Sequence, residues 1–176
     1  MMEDKGVYTL LEVCSILKQK GFAYICHFVG KWSDITEEAF NNKVNESNLR
    51  GYVMAHGAKY GNEKNIYFQQ ADLFILPTYN ECFPLVLLEA MEQGIACIGS
   101  NEGGIPDIID EGITGYIVEK KNPETLAKKI EFLMQYPELC KSMGEAGRKR
   151  FLEKFTLEKF ENRLKDILLE NLNNTL

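Results

Sequence analysis

The sequence lacks any excess of positive charge: 20 Lys and Arg stand against 26 Asp and Glu, a net charge of -6 with a pI near 5.1. Nucleic-acid binders usually show a basic face, so no nucleic-acid partner is expected. No apolar stretch approaches the roughly 18 to 20 residues that a membrane-spanning helix requires. The opening Met-Met-Glu-Asp-Lys-Gly has no signal-peptide architecture, and a cytoplasmic location is the expectation. The five cysteines (Cys14, Cys26, Cys82, Cys97, Cys140) are scattered with no CxxC, which predicts buried, reduced thiols rather than zinc or disulfides. There is no ligand cluster for a metal. No G-x-G-x-x-G follows an apolar strand, which weighs against a dinucleotide-dependent oxidoreductase. Repeats, low-complexity tracts and linkers are also missing, so 176 residues predict one domain or slightly more.

What is present is an alternation of short apolar runs and helical periodicities. Val7, Leu10, Leu11, Cys14 and Leu17 recur at helical spacing before Gly21. Phe22 to Val29 reads as a buried strand, and a surface helix should follow Asp34, with Glu37 completing a capping box. Tyr52 to Ala55 is a strand closing at His56-Gly57, Asn62 can cap a helix through Gln70, and Leu73 to Leu76 is a strand stopped by Pro77. Further strands are expected at Ile95 to Ile98 and Gly115 to Val118. Asn122-Pro123-Glu124 is a helix start with a cap, a first-position proline and an early acid. Helices over about Pro137 to Lys154 and Thr156 to Asn173 complete the chain. The pattern predicts an α/β fold with a doubly wound parallel sheet, in which ligands sit beyond the carboxyl ends of the strands.

The most informative segment is Glu81-Cys82-Phe83-Pro84-Leu85-Val86-Leu87-Leu88-Glu89-Ala90-Met91. A helix from Pro84 that is apolar except for Glu89 should be buried nearly all round, and a buried carboxylate needs a partner. The helix mouth offers the free amides of Cys82, Phe83 and Leu85 to an anion such as phosphate. Glu81 beside them suits a neutral polyol, and Glu89 can accept the hydroxyls of a ribose. A nucleotide sugar meets all three requirements. The spacing equally allows Glu81 to be a solvated turn acid and Glu89 to pair with a buried lysine. His27, within a strand, reads as a packing residue. His56 is better placed, at a strand's carboxyl end, but still reads as structural. Arg148-Lys149-Arg150 with Lys154 and Lys159 reads as a solvated helical face.

The run Ala71-Asp72-Leu73-Phe74-Ile75-Leu76-Pro77 followed by Glu81 and Glu89 resembles the E-x7-E signature of retaining glycosyltransferases with the GT-B fold (glycosyltransferase family 4, glycosyl transferases group 1). Gly103-Gly104-Ile105-Pro106-Asp107, Gly112 to Val118, and Asp4-Lys5-Gly6 match further landmarks of that family in order. The resemblance implies the C-terminal, donor-binding, Rossmann-like half of such an enzyme, spanning residues 1–176. It implies that Glu81 contacts the transferred sugar, Glu89 the ribose, and the amides of Cys82, Phe83 and Leu85 the diphosphate. It further implies that Lys5 neutralises the departing nucleoside diphosphate, that the base lies near His56-Gly57, and that no metal or cofactor is needed. The catalytic pair would be Lys5 and Glu81. The final helix pair would cross toward a partner domain.

Two family features are missing: an N-terminal acceptor domain, and the strand directly before the Lys-Gly turn. In the strand order 3-2-1-4-5-6 that strand is central, and its loss leaves backbone unpaired along both neighbours. The gap is expected to be closed by direct pairing of the flanking strands or by a neighbouring chain. The expected activity is sugar transfer from a nucleoside diphosphate with retained configuration, in polysaccharide or glycolipid synthesis. The chain alone should be inactive, and the full enzyme is compatible with peripheral membrane association. The alternative is a non-catalytic nucleotide-sugar-binding subunit that works with a separate acceptor-domain chain.

Overall fold

The computed structural model describes residues 1–173. A single 3-10 turn (Glu3–Lys5) leads into α1 (Val7–Gln19), followed by β1 (Cys26–Phe28), α2 (Glu37–Glu46), β2 (Val53–Ala55), α3 (Gly61–Gln69) and β3 (Leu73–Leu76). Then come α4 (Leu85–Glu92), β4 (Ala96–Ser100), α5 (Ile105–Ile108), β5 (Gly115–Val118), α6 (Pro123–Gln135), α7 (Pro137–Lys154) and α8 (Leu157–Asn173). All strand pairs are parallel, as an alternation of strands and helices requires.

Helices cover both faces. Along β4, Ala96 and Ile98 belong to the core that holds α1 and α6, while Cys97, between them, belongs to the core of α4 and α5. This is the two-sided burial that makes a parallel strand apolar throughout. Asn122 caps α6 as expected, its Oδ1 accepting from the Thr125 amide at 3.0 Å ahead of Pro123. The start of α2 differs from expectation. Thr36 is the cap and accepts from the Ala39 amide, whereas the Asp34 carboxylate accepts from the Glu3 amide, 31 residues away. Nor does Asn62 cap α3, which begins at Gly61.

The sheet is split. β1 pairs with β2, and β3-β4-β5 form a second sheet, with no strand among the described residues joining β1 to β3. Direct pairing of the flanking strands, one of the two expected closures, does not occur. The two edges are spanned instead from both faces. On one, α1 packs into a core that includes Phe28 of β1 and Ile75 of β3. On the other, Tyr67 of α3 lies against His27 and His56, while the next residue, Phe68, meets Phe74 of β3 at 5.7 Å between ring centroids. All four residues of β3 are only half-buried, whereas all five of β4 are buried. The strand expected over Phe22 to Val29 shrinks to three residues, and Ile25 is 57% exposed.

Two further expectations are corrected. Cys82 is exposed and Cys26 and Cys140 are half-buried, so only Cys14 and Cys97 are the buried free thiols foreseen. Burial pushes the Cys97 thiol up, away from reactivity. Arg150 is not simply solvated: its guanidinium donates to the carbonyls of Ile108 and Asp107 at 2.9 Å each, serving the carbonyl end of α5.

Candidate functional site

The site grows from two loops clamped together at the carboxyl ends of the strands. Gly6 has φ of 72°, and a Cβ there would lie 1.9 Å from the Pro77 carbonyl oxygen, so only glycine lets the turn before α1 touch the loop after β3. The Asp4 carbonyl accepts from the Tyr79 amide at 2.7 Å and from the Thr78 hydroxyl at 3.0 Å. Thr9 and Tyr79 join through their hydroxyls. This clamp delivers Lys5 to the mouth of α4. Its ammonium donates to Glu81 Oε2 at 2.7 Å and to the Asn80 carbonyl at 3.2 Å.

From the other side, Gly103 and Gly104 press on the same turn. A Cβ on Gly103 would stand 2.1 Å from the Glu81 carbonyl oxygen, and one on Gly104 would meet the Phe83 ring at 2.5 Å. The Gly104 amide donates to the Cys82 carbonyl at 2.6 Å. Lys120 and Lys121, which the sequence reading passed over, also converge here. Lys120 donates to Glu102 at 2.5 Å and to the Tyr79 carbonyl at 3.5 Å, and Lys121 sits 4.8 Å from the Tyr79 ring centroid. Three lysines therefore surround Tyr79–Glu81 in a chain of net charge -6.

The helix differs from expectation in ways that matter. It starts at Leu85, and Pro84 is its cap rather than its first residue. It is not buried all round: Leu85 is 66% exposed, and Glu89, one turn on along the same face, keeps 40% of its side chain exposed. Each acid is met by a lysine. Glu81 is paired with Lys5, and Glu89 Oε1 accepts from Lys64 of α3 at 2.6 Å. Both carboxylates are therefore neutralised within the fold, by Lys5 and by Lys64. The pairing of Glu89 with a lysine is the simpler of the two readings its sequence allowed, although that lysine is half-exposed rather than buried.

Among the mouth amides, that of Cys82 is turned toward the Glu81 carboxylate at 3.3 Å, whereas those of Phe83 and Leu85 have no protein acceptor among the described residues. His27 is exposed rather than packed, and its Nδ1 shares a 2.8 Å hydrogen bond with His56 Nε2. Partial burial, then the neighbouring His27 and Lys59, hold the His56 pKa below its ordinary value. Gly57 lies beside Trp32. A hollow of about 520 Å³ opens between α1 and α2, lined by Tyr8, Glu12, Ser15 and Lys43 and, on the side of the clamp, by Thr9, Tyr79 and Lys121; neither Glu81 nor Glu89 lines it. Among the described residues no group of three or more acidic, His or Cys side chains is placed to hold a metal ion.

Residues 1–150 match the profile of glycosyl transferases group 1. The chain belongs to this family. Among curated relatives, the chain is 39% identical over 102 residues to N-acetyl-alpha-D-glucosaminyl L-malate synthase of Bacillus anthracis, covering 58% of this chain and 27% of that protein. It is 29% identical over 159 residues to the capsular polysaccharide biosynthesis glycosyltransferase CapM of Staphylococcus aureus, covering 89% of this chain and 40% of that one. The chain thus spans less than half the length of either relative. Its fold superposes on Anabaena HepE, solved in complex with UDP, with a TM-score of 0.86 at 15% identity, covering 96% of this chain and 46% of that one. The architecture is a Rossmann-like half of the GT-B fold. No described helix of the chain is long and apolar enough to cross a membrane.

Proposed function

We propose that this chain is the donor-binding half of a retaining family 4 glycosyltransferase that takes a sugar from a nucleoside diphosphate. The observation that carries the reading is Lys5 held 2.7 Å from Glu81 at the mouth of α4, beside the unpartnered amides of Phe83 and Leu85. Amides at a helix N-terminus and an adjacent ammonium form an anion site, and Lys120 and Lys121 add to the local positive field. Lys5 and the Phe83 and Leu85 amides hold the diphosphate. Glu81 accepts hydroxyls of the sugar, and Glu89 accepts from the ribose. The base lies toward His56 and Gly57. As the bond from the anomeric carbon to the phosphate oxygen breaks, its electron pair passes to the diphosphate, and Lys5 offsets the growing charge.

The Lys5–Glu81 pair reconciles this role with the neutralised carboxylate. Lys5 is 40% exposed and already at the mouth, so an arriving diphosphate competes for a cation that needs little displacement. No metal or cofactor enters this reading. CapM is named for capsular polysaccharide biosynthesis, which supports a polysaccharide or glycolipid acceptor. That acceptor would bind a domain outside these residues, and the chain alone is expected to be inactive. A thermal-shift panel of nucleoside diphosphates and their sugars tests the reading. A ligand at 100 times its dissociation constant adds about 2.7 kcal/mol, or roughly 5 to 10 °C for a chain of this size. That shift is expected to vanish in Lys5→Met and to shrink in Glu81→Gln. A shift with NAD, and none with any nucleoside diphosphate, would refute the reading.

A further inference from the structure

The hollow beside α1 starts at the clamp, and its other walls lie outside the mouth of α4. It runs from Tyr79 and Lys121 at the carboxyl-end rim, along α1, to Ser15 and Ser47. A second hollow of about 360 Å³ continues it, with Tyr8 and Lys43 lining both. The walls carry two acids, Glu3 and Glu12, and two lysines, Lys43 and Lys121, so they favour neither sign of charge. Hydroxyls come from Tyr8, Thr9, Ser15, Ser47 and Tyr79. Among the described residues the side chains of Tyr8, Glu12 and Ser47 make no hydrogen bond or ion pair, and the Lys121 ammonium is seen only against the Tyr79 ring, at 4.8 Å. Lys121 reaches that position with φ of 60°, a left-handed backbone that non-glycine residues rarely adopt.

We propose that this groove is a binding site for an uncharged saccharide chain, with Glu12 and Lys43 bonding its hydroxyls and Tyr8 packing against a sugar ring. The chemistry of the walls selects the class. Each sugar hydroxyl donates and accepts, so it is met by acceptor-only carboxylates, donor-only ammonium groups and hydroxyls that do both. A polyanion would confront Glu3 and Glu12, and a cation would confront Lys43 and Lys121. Tyr8, half-buried, has an apolar body and a polar tip, which suits the C–H face of a pyranose beside its hydroxyls. The volume of about 520 Å³ lies within the range of small-molecule sites, roughly 300 to 1,000 Å³. In a sugar-transferring enzyme such a chain is an acceptor or product; that identity rests on the donor reading, whereas the binding itself does not.

The plain alternative is a water-filled seam between two helices. Amide NMR titration of the 176-residue chain with neutral tri- to pentasaccharides of glucose, galactose and N-acetylglucosamine separates the two. At least one saccharide is expected to shift the amides around Tyr8, Glu12 and Lys43 saturably. A uronic-acid oligosaccharide of the same length should bind more weakly. Glu12→Ala and Lys43→Ala, both at exposed helix positions, should each weaken the neutral saccharide by about fivefold, the worth of one hydrogen bond. Melting curves show whether each variant keeps its fold. No saturable shift with any neutral saccharide overturns the proposal, as do shifts confined to the mouth of α4. So do binding of the uronic-acid chain at least as tight as the neutral one, and unchanged affinity in either folded variant. UDP and GDP titrated into the same samples report on the donor site alone, so either reading can fail without the other.

Discussion

At the residue scale, the two histidines show how a local pattern can mislead. Residue alternation places Cys26 and Phe28 in the core with α1, so His27 between them projects to the opposite face. There it meets the rings of His56 and Tyr67, at 5.0 and 6.0 Å between centroids. That leaves the imidazole exposed and bonded to His56. The bond needs one nitrogen to accept, so it fails when both of the facing nitrogens, His27 Nδ1 and His56 Nε2, carry a proton. Because the folded state lowers the His56 pKa below the unfolded value of about 6.5, the unfolded chain binds protons more readily. The contribution is fully present above that value and is lost as pH falls through the lower folded pKa. Thermal melts at pH 7.5 and 5.5 are expected to show a larger loss in the wild-type chain than in His56→Gln. Equal losses would deny the pair any titrating role. Lys64 was illegible for a different reason. Its partner lies 25 residues away on another helix, and nothing in the local sequence near Lys64 points to it.

At the element scale, legibility followed how local the determining interaction is. The start of α6 was readable because Asn122, Pro123 and Thr125 settle it within four residues, and α7 ran from Pro137 to Lys154 as its flanking signals indicated. The start of α2 was not, because Asp34 answers to Glu3 across the fold. The apolar run of α4 was read as full burial, yet hydrophobicity does not say which face is packed. Leu87, Leu88, Ala90 and Met91 are buried, while Leu85 and Glu89 share the open face. The expected loss of a central strand agrees with the split between β1 and β3. Five apolar residues with β-branched side chains, joined ahead of Met1, are expected to enter between those edges. Even one side chain's worth of burial, about 2 kcal/mol, should raise the melting temperature by roughly 4 to 8 °C. An alternating Gly-Ser extension of equal length is the control, and an equal change with both would mean that the slot does not accept a strand.

At the scale of the whole molecule, the chain is a Rossmann-like half of the GT-B fold whose described surface keeps features that suit a partner. Every described side chain over residues 157–170 of α8 is exposed, including Leu157, Phe160 and Leu164. The carboxyl-end rim gathers Lys5, Lys120 and Lys121 about one loop. Both agree with a domain built to meet a second one across a cleft where an anionic donor lies. A nucleoside diphosphate is proposed to seat at the mouth of α4, and a crystal structure of this chain soaked with one would show where it lies. Phosphate oxygens are expected within hydrogen-bond distance of Lys5 Nζ and the Leu85 amide, with the Lys5–Glu81 contact lengthened from 2.7 Å. A nucleotide seated instead in the hollow between α1 and α2, with the Lys5–Glu81 contact unchanged, would contradict it.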